Sequence, residues 1–121
     1  MNKCPKCGFS NPRNLDQNGL SHVWYLQIGD FMGTNAADAK AYCKLWFGVP
    51  ILRGEAPEFR DRYDKLIKGR MTYEEKLEIM HWLPISSLMS KGQFARYMGD
   101  IQHHFAEQGL VLASINEPEM V

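Results

Sequence analysis

The strongest constraint in this sequence is its last long apolar stripe. Phe94, Tyr97, Met98, Ile101 and Phe105 recur at three- and four-residue spacing, the period of one helix face. Ser90 stands before the stripe with Gln93 three residues on, the pattern of a capping box. Gly109 supplies the C-terminal stop. A helix of that length with one apolar side must bury it against other elements. The candidates upstream are helical too.

Leu20, Val23, Trp24, Ile28 and Phe31 make a stripe that Gly33 should end. Thr34 or Asn35 can cap a second helix, in which Ala39, Cys43, Trp46 and Phe47 mark the buried face. Gly48 and Pro50 should stop it, leaving Val49 to Leu52 extended. Pro57 fits the first turn of a helix to Lys68 whose Phe59, Tyr63, Leu66 and Ile67 face one way. Thr72 and Glu75 predict a capped helix over 72–82. Leu83 to Leu88 and Val111 to Ile115 read as extended or turn segments, with room for one small β-hairpin. The expected fold is therefore mainly α. A cysteine-bearing arm occupies 1–13, a compact helical domain 14–116 and a tail 117–121.

The chain has 14 basic and 14 acidic residues, so its formal charge is zero. A neutral molecule is not as a whole an attractor for nucleic acid or anionic membrane. The zero is an average, however. Lys3, Lys6 and Arg13 make the first 13 residues +3, and Glu107, Glu117 and Glu119 make the end −3. Residues 53–70 hold six basic and four acidic side chains, a pattern suited to helical pairing of Glu58 with Arg62, and of Asp61 or Asp64 with Lys65 and Lys68. No apolar run is long enough to span a bilayer, and the N-terminal residues lack a signal-peptide core. With three cysteines, the expectation is a reducing cytoplasm.

Cys4-Pro5-Lys6-Cys7-Gly8 has the spacing of a zinc knuckle. Two thiolates two residues apart grip one tetrahedral ion, and Gly8 lets backbone amides turn toward the sulfurs. A complete structural zinc site needs two more ligands, for which Cys43 and one of His22, His81, His103 and His104 are candidates, as is a second chain. The alternatives are a relic knuckle or two free thiols. Adjacent His103 and His104 point about 100° apart on a helix and are poorly placed to chelate one ion. No phosphate loop, nucleophile elbow, HExxH or paired-carboxylate motif appears, so no catalytic residue is assigned. Trp24, Tyr42, Trp46 and Phe94 fall at core spacing. Tyr25, Tyr73 and Trp82 are the freer candidates for stacking on bases.

The most unusual segment is Arg13-Asn14-Leu15-Asp16-Gln17-Asn18. It places five hydrogen-bonding side chains before an apolar helix, where one cap, from Asp16 or Asn18, would suffice. The surplus suits contacts to phosphate, sugar or base edges. This segment, followed by Trp24, resembles the opening motif of the NinB/Orf family of phage recombination proteins. Ser86-Ser87-Leu88-Met89-Ser90, then Phe94, Tyr97 and Ile101, is similar to that family's second motif and closing helix. A cysteine knuckle stands where the longer members have a β-rich stretch.

The resemblance implies a phage or prophage protein in the bacterial cytoplasm that binds DNA, preferring single strands. It implies a homodimer that assists homologous recombination without catalysis, helping a recombinase act on DNA coated by single-strand-binding protein. Carried onto this chain, it makes Arg13, Gln17, Asn18, Ser86, Ser87 and Lys91 candidate DNA contacts, and Lys3 and Lys6 would add phosphate contacts. A second expectation is a protein-interaction module, acting through 53–70 on a host recombination or repair factor. A third is a metal-dependent DNA nuclease, for which no acidic cluster is present.

Overall fold

The computed structural model describes residues 15–113, with side chains from residue 19 onward. The order is α1 (Leu15–Met32), α2 (Ala36–Cys43), a π-helical turn (Lys44–Gly48), α3 (Val49–Glu55), α4 (Pro57–Leu66), α5 (Tyr73–Met80), a 3-10 turn (Ser86–Leu88) and α6 (Lys91–Glu107). The fold is mainly α. No strand occurs among the described residues, and the small β-hairpin that the sequence left room for is not seen there. Ser86–Leu88 coils into the 3-10 turn instead, because the Leu88 and Met89 amides turn back onto Ile85 and Ser86 carbonyls. The N-terminal knuckle, with Cys4 and Cys7, lies outside the described residues.

The last helix forms as its sequence dictates. Ser90 Oγ accepts from the Gln93 amide at 3.1 Å, and Gln93 Oε1 accepts from the Ser90 amide at 2.9 Å. Phe94, Tyr97, Met98, Ile101 and Phe105 are all buried. Thr72 and Glu75 make the same reciprocal pair at the start of α5. Asn35 rather than Thr34 caps α2, accepting from the Asp38 amide at 2.8 Å, while Thr34 donates to the Asp38 carboxylate. Gly33 and Gly109 end α1 and α6 with φ of 79° and 93°, conformations that a Cβ disfavours.

Three expectations are corrected. Pro50 does not interrupt the chain, which runs helically through Ala36–Glu55. Proline removes a donor and crowds the carbonyl four residues back. The turn widens there, and the Val49 amide reaches back five residues to the Lys44 carbonyl, which leaves room for the ring. Gly48 is a contact, not a stop: an added Cβ would lie 2.6 Å from Ile85 Cγ2. Second, the helix begins at Leu15, so Asp16, Gln17 and Asn18 belong to its first turn rather than preceding it. Third, the buried face of α1 is Ser21, Trp24, Tyr25 and Ile28, while Val23 and Phe31 are exposed.

The core gathers Trp24, Tyr25 and Ile28 of α1, Ala39 and Cys43 of α2, Leu52 of α3, Met80 of α5, Ile85 and the apolar face of α6. A strap from Leu110 to Ala113 closes it. Leu112 is buried, Trp24 Nε1 donates to the Ala113 carbonyl, and the Ala113 amide donates to Gln27 Oε1 at 3.0 Å.

Candidate nucleic-acid interface

The second motif segment forms a continuous corner ahead of α6. Ser86 is half-buried, Ser87 is exposed and donates to the Pro84 carbonyl at 3.1 Å, and Leu88 is 56% exposed. Ser90 caps the helix, and Lys91 occupies its first position with an exposed side chain. Ser86, Ser87 and Lys91 are thus brought to one corner by the 3-10 turn and the cap. The positive end of the α6 dipole adds to the Lys91 charge there. Gln17 and Asn18 fall on the first turn of α1, and their side chains lie outside the described set. Lys3, Lys6 and Arg13 lie outside the described residues altogether.

The charged region 53–70 pairs over longer range than its helical spacing suggested. Arg53 of α3 grips Asp64 of α4 through two bonds, 2.8 and 3.0 Å. That bond, then the Arg53 charge, holds the Asp64 carboxyl below its ordinary value. Glu55 of α3 accepts from Gln93 Nε2 at 3.0 Å and from Arg96 of α6. The Gln93 bond, then the Arg96 bond, lowers its pKa likewise. Arg60 meets its neighbour Asp61. Neither Glu58 with Arg62 nor Asp61 or Asp64 with Lys65 or Lys68 forms the expected ion pair; Asp61 meets Arg60, and Asp64 is taken by the Arg53 fork, which matches a carboxylate better than a flexible lysine does. Arg62, Lys65, Lys68 and Arg70 have no ion-pair partner among the described residues.

The aromatic residues are redistributed. Tyr25 is buried, and its hydroxyl lies 2.9 Å from that of buried Tyr97. It is a core residue and no stacking platform. Trp46 is 52% exposed, not core: its Nε1 donates to the Tyr73 hydroxyl at 3.0 Å, and Tyr42 lies against it with centroids 6.2 Å apart. Trp46 follows the helical spacing of the α2 face, but the wider π turn rotates it outward. No signal short of that turn would have exposed it. Tyr73 is exposed as expected, and Trp82 more so.

Cys43 is fully enclosed, and burial pushes its thiol up to about 12. Among the described residues no three His, Cys, Asp or Glu side chains are grouped to hold a metal. His103 pairs with Glu107 at 3.2 Å, while His104 meets Gln108 at 2.7 Å and packs on Phe47. The two imidazoles are thus engaged separately.

A groove of about 460 Å³ runs beside α4, lined by Leu52, Phe59, Tyr63, Leu66 and Leu88 with Glu58 and Arg62 at its edge. No described helix is long and apolar enough to cross a membrane. No protein-family model, curated protein or solved structure matches the chain.

Proposed function

We propose that the chain binds DNA, single strands above all, and assists homologous recombination. In that role it would help a recombinase displace single-strand-binding protein. The observation that carries this reading is the exposed corner at the start of α6. There the residues of the second family-like motif, Ser87, Leu88 and Lys91, face solvent beside a positive helix end. Lys91, with Lys3, Lys6 and Arg13, would contact phosphates. Gln17 and Asn18 would bond base edges, and the Ser86 and Ser87 hydroxyls would bond phosphate or sugar. Leu88 is an apolar side chain of the kind that wedges between unstacked bases. A structural zinc on Cys4 and Cys7 and a homodimer belong to the same proposal.

The test is fluorescence anisotropy with labelled single-stranded, duplex and junction oligonucleotides across salt concentrations. Single strands should bind best, and affinity should fall as salt rises. The Arg13→Ala/Lys91→Ala variant should weaken binding by about tenfold at low salt. Undiminished binding by that variant would refute the site, and absence of binding at low salt would refute the function.

The apolar groove beside α4 favours a second reading, a module docking on a host recombination or repair factor. Leu66 is 60% exposed at its edge. On that reading Leu66→Asp removes partner binding, and Arg13→Ala/Lys91→Ala leaves it intact.

A further inference from the structure

A second shallow groove, of about 450 Å³, lies along the outer side of α5. Its floor is apolar, built from Met71, Ile79 and Trp82, and its rim is Glu74, Glu75 and Glu78. Trp82, in the turn after α5, is 78% exposed. None of the three carboxylates has an ion-pair partner among the described residues; Glu75 is engaged only through the capping box. The nearest lysine in sequence, Lys76, is about 160° round the helix from both Glu74 and Glu78 and pairs with neither among the described residues. Beyond the Glu74–Glu78 ridge, a second depression adds Tyr42 and Asp38, the latter paired with His81 at 3.4 Å.

An exposed indole framed only by carboxylates selects its occupant by charge. A purely apolar partner would desolvate three carboxylates without compensation. A nucleic acid would bring phosphates against them. An arginine satisfies both parts of the groove: its guanidinium stacks on the indole face and donates paired hydrogen bonds to a carboxylate. We infer that the Trp82 groove docks a basic, arginine-bearing segment of a partner protein. The groove shares no lining residue with the proposed DNA-binding corner, and the inference does not depend on that reading. The two together would let one molecule hold DNA and a basic protein segment through different residues.

The probe is a fluorescein-labelled peptide of alternating arginine and glycine, read by anisotropy against the full chain. It should bind, and the same peptide with citrulline for arginine should not. Glu74→Gln/Glu78→Gln and Trp82→Ala should each weaken binding by about tenfold, a loss in keeping with a desolvated cation site. Asp100→Asn/Glu107→Gln on α6 removes the same charge elsewhere and should change affinity by less than about twofold. Circular dichroism should show all variants folded, since the replaced side chains are exposed. Equal losses in the two double variants, or an unaltered Trp82→Ala, would overturn the assignment. So would tighter binding by Lys3→Gln/Lys6→Gln/Arg13→Gln, which would identify this chain's own arm as the occupant. A single-stranded oligonucleotide that competes for the groove in the Arg13→Ala/Lys91→Ala background would also overturn it, and would assign the face to DNA.

Discussion

At the scale of the residue, two helical glycines are chemically alike and physically opposite. Gly29 of α1 sits where α2 begins, and a Cβ there would come within 2.7 Å of the Asn35 carbonyl carbon and 2.8 Å of its oxygen. Those atoms are backbone, fixed by the cap of α2, so they cannot swing aside. Gly29→Ala should destabilise the protein by roughly 2–3 kcal/mol, as overpacking does, and should shift the helix pair. Gly99 in α6 has nothing within 4 Å of its virtual Cβ. There alanine only removes backbone freedom from the unfolded chain, so Gly99→Ala should stabilise by about 1 kcal/mol. Urea denaturation of the two variants checks both signs. Equal effects would refute the close approach of α1 to Asn35.

At the scale of the element, the sequence was readable wherever a few neighbouring residues decide the outcome. Thr72 with Glu75, and Ser90 with Gln93, complete their own hydrogen bonds within one turn, so no distant contact is needed to predict them. Ser90→Ala and Thr72→Ala should each cost about 1 kcal/mol, measurable as a lower urea midpoint with unchanged slope. Ser87→Ala, one turn away and outside any cap, should leave the midpoint in place. Legibility failed where tertiary packing chose among local options. The buried stripe of α1 includes Ser21, while the more apolar Val23, Leu26 and Phe31 face outward. A polarity pattern therefore selects the wrong side. The α2–α3 helix passes Pro50 only because a π turn absorbs the missing donor, and the same turn exposes Trp46. Among the candidate DNA contacts, Ser86, Ser87 and Lys91 are singled out by a motif rather than by periodicity, and the 3-10 turn and the α6 cap bring them to one corner. The long-range pairs Arg53–Asp64 and Glu55–Arg96 had no local signature, because each partner also had a nearer candidate.

At the scale of the whole molecule, zero net charge conceals one costly cation. Lys44 lies in the π turn only 5% exposed, and its ammonium has no hydrogen bond or ion pair among the described residues. Burial, then the neighbouring Lys40 charge, lowers its pKa to about 8 from an ordinary 10.5. Between those values the unfolded chain holds a proton that the folded chain has released, so stability rises with pH across this window. Below about 8 both states are charged, and the full penalty of the buried ammonium remains. Cys43 acts in the opposite sense. Its thiol is raised from 9.0 to about 12, so the unfolded chain ionises first and stability falls as pH climbs above 9. The wild-type curve should therefore rise from pH 8 to 9, flatten to about pH 10, and fall beyond it, where Tyr42, Tyr63 and Tyr97, all held up by burial, ionise first in the unfolded chain. Lys44→Met retains the cysteine contribution and loses the lysine one. It should be more stable than wild type by roughly 1–3 kcal/mol at pH 7, and the gap should close toward pH 10.5. Thermal melts of both proteins from pH 7 to 10.5 measure that gap directly. A gap independent of pH would mean that the Lys44 ammonium is hydrated in the folded protein and carries no penalty.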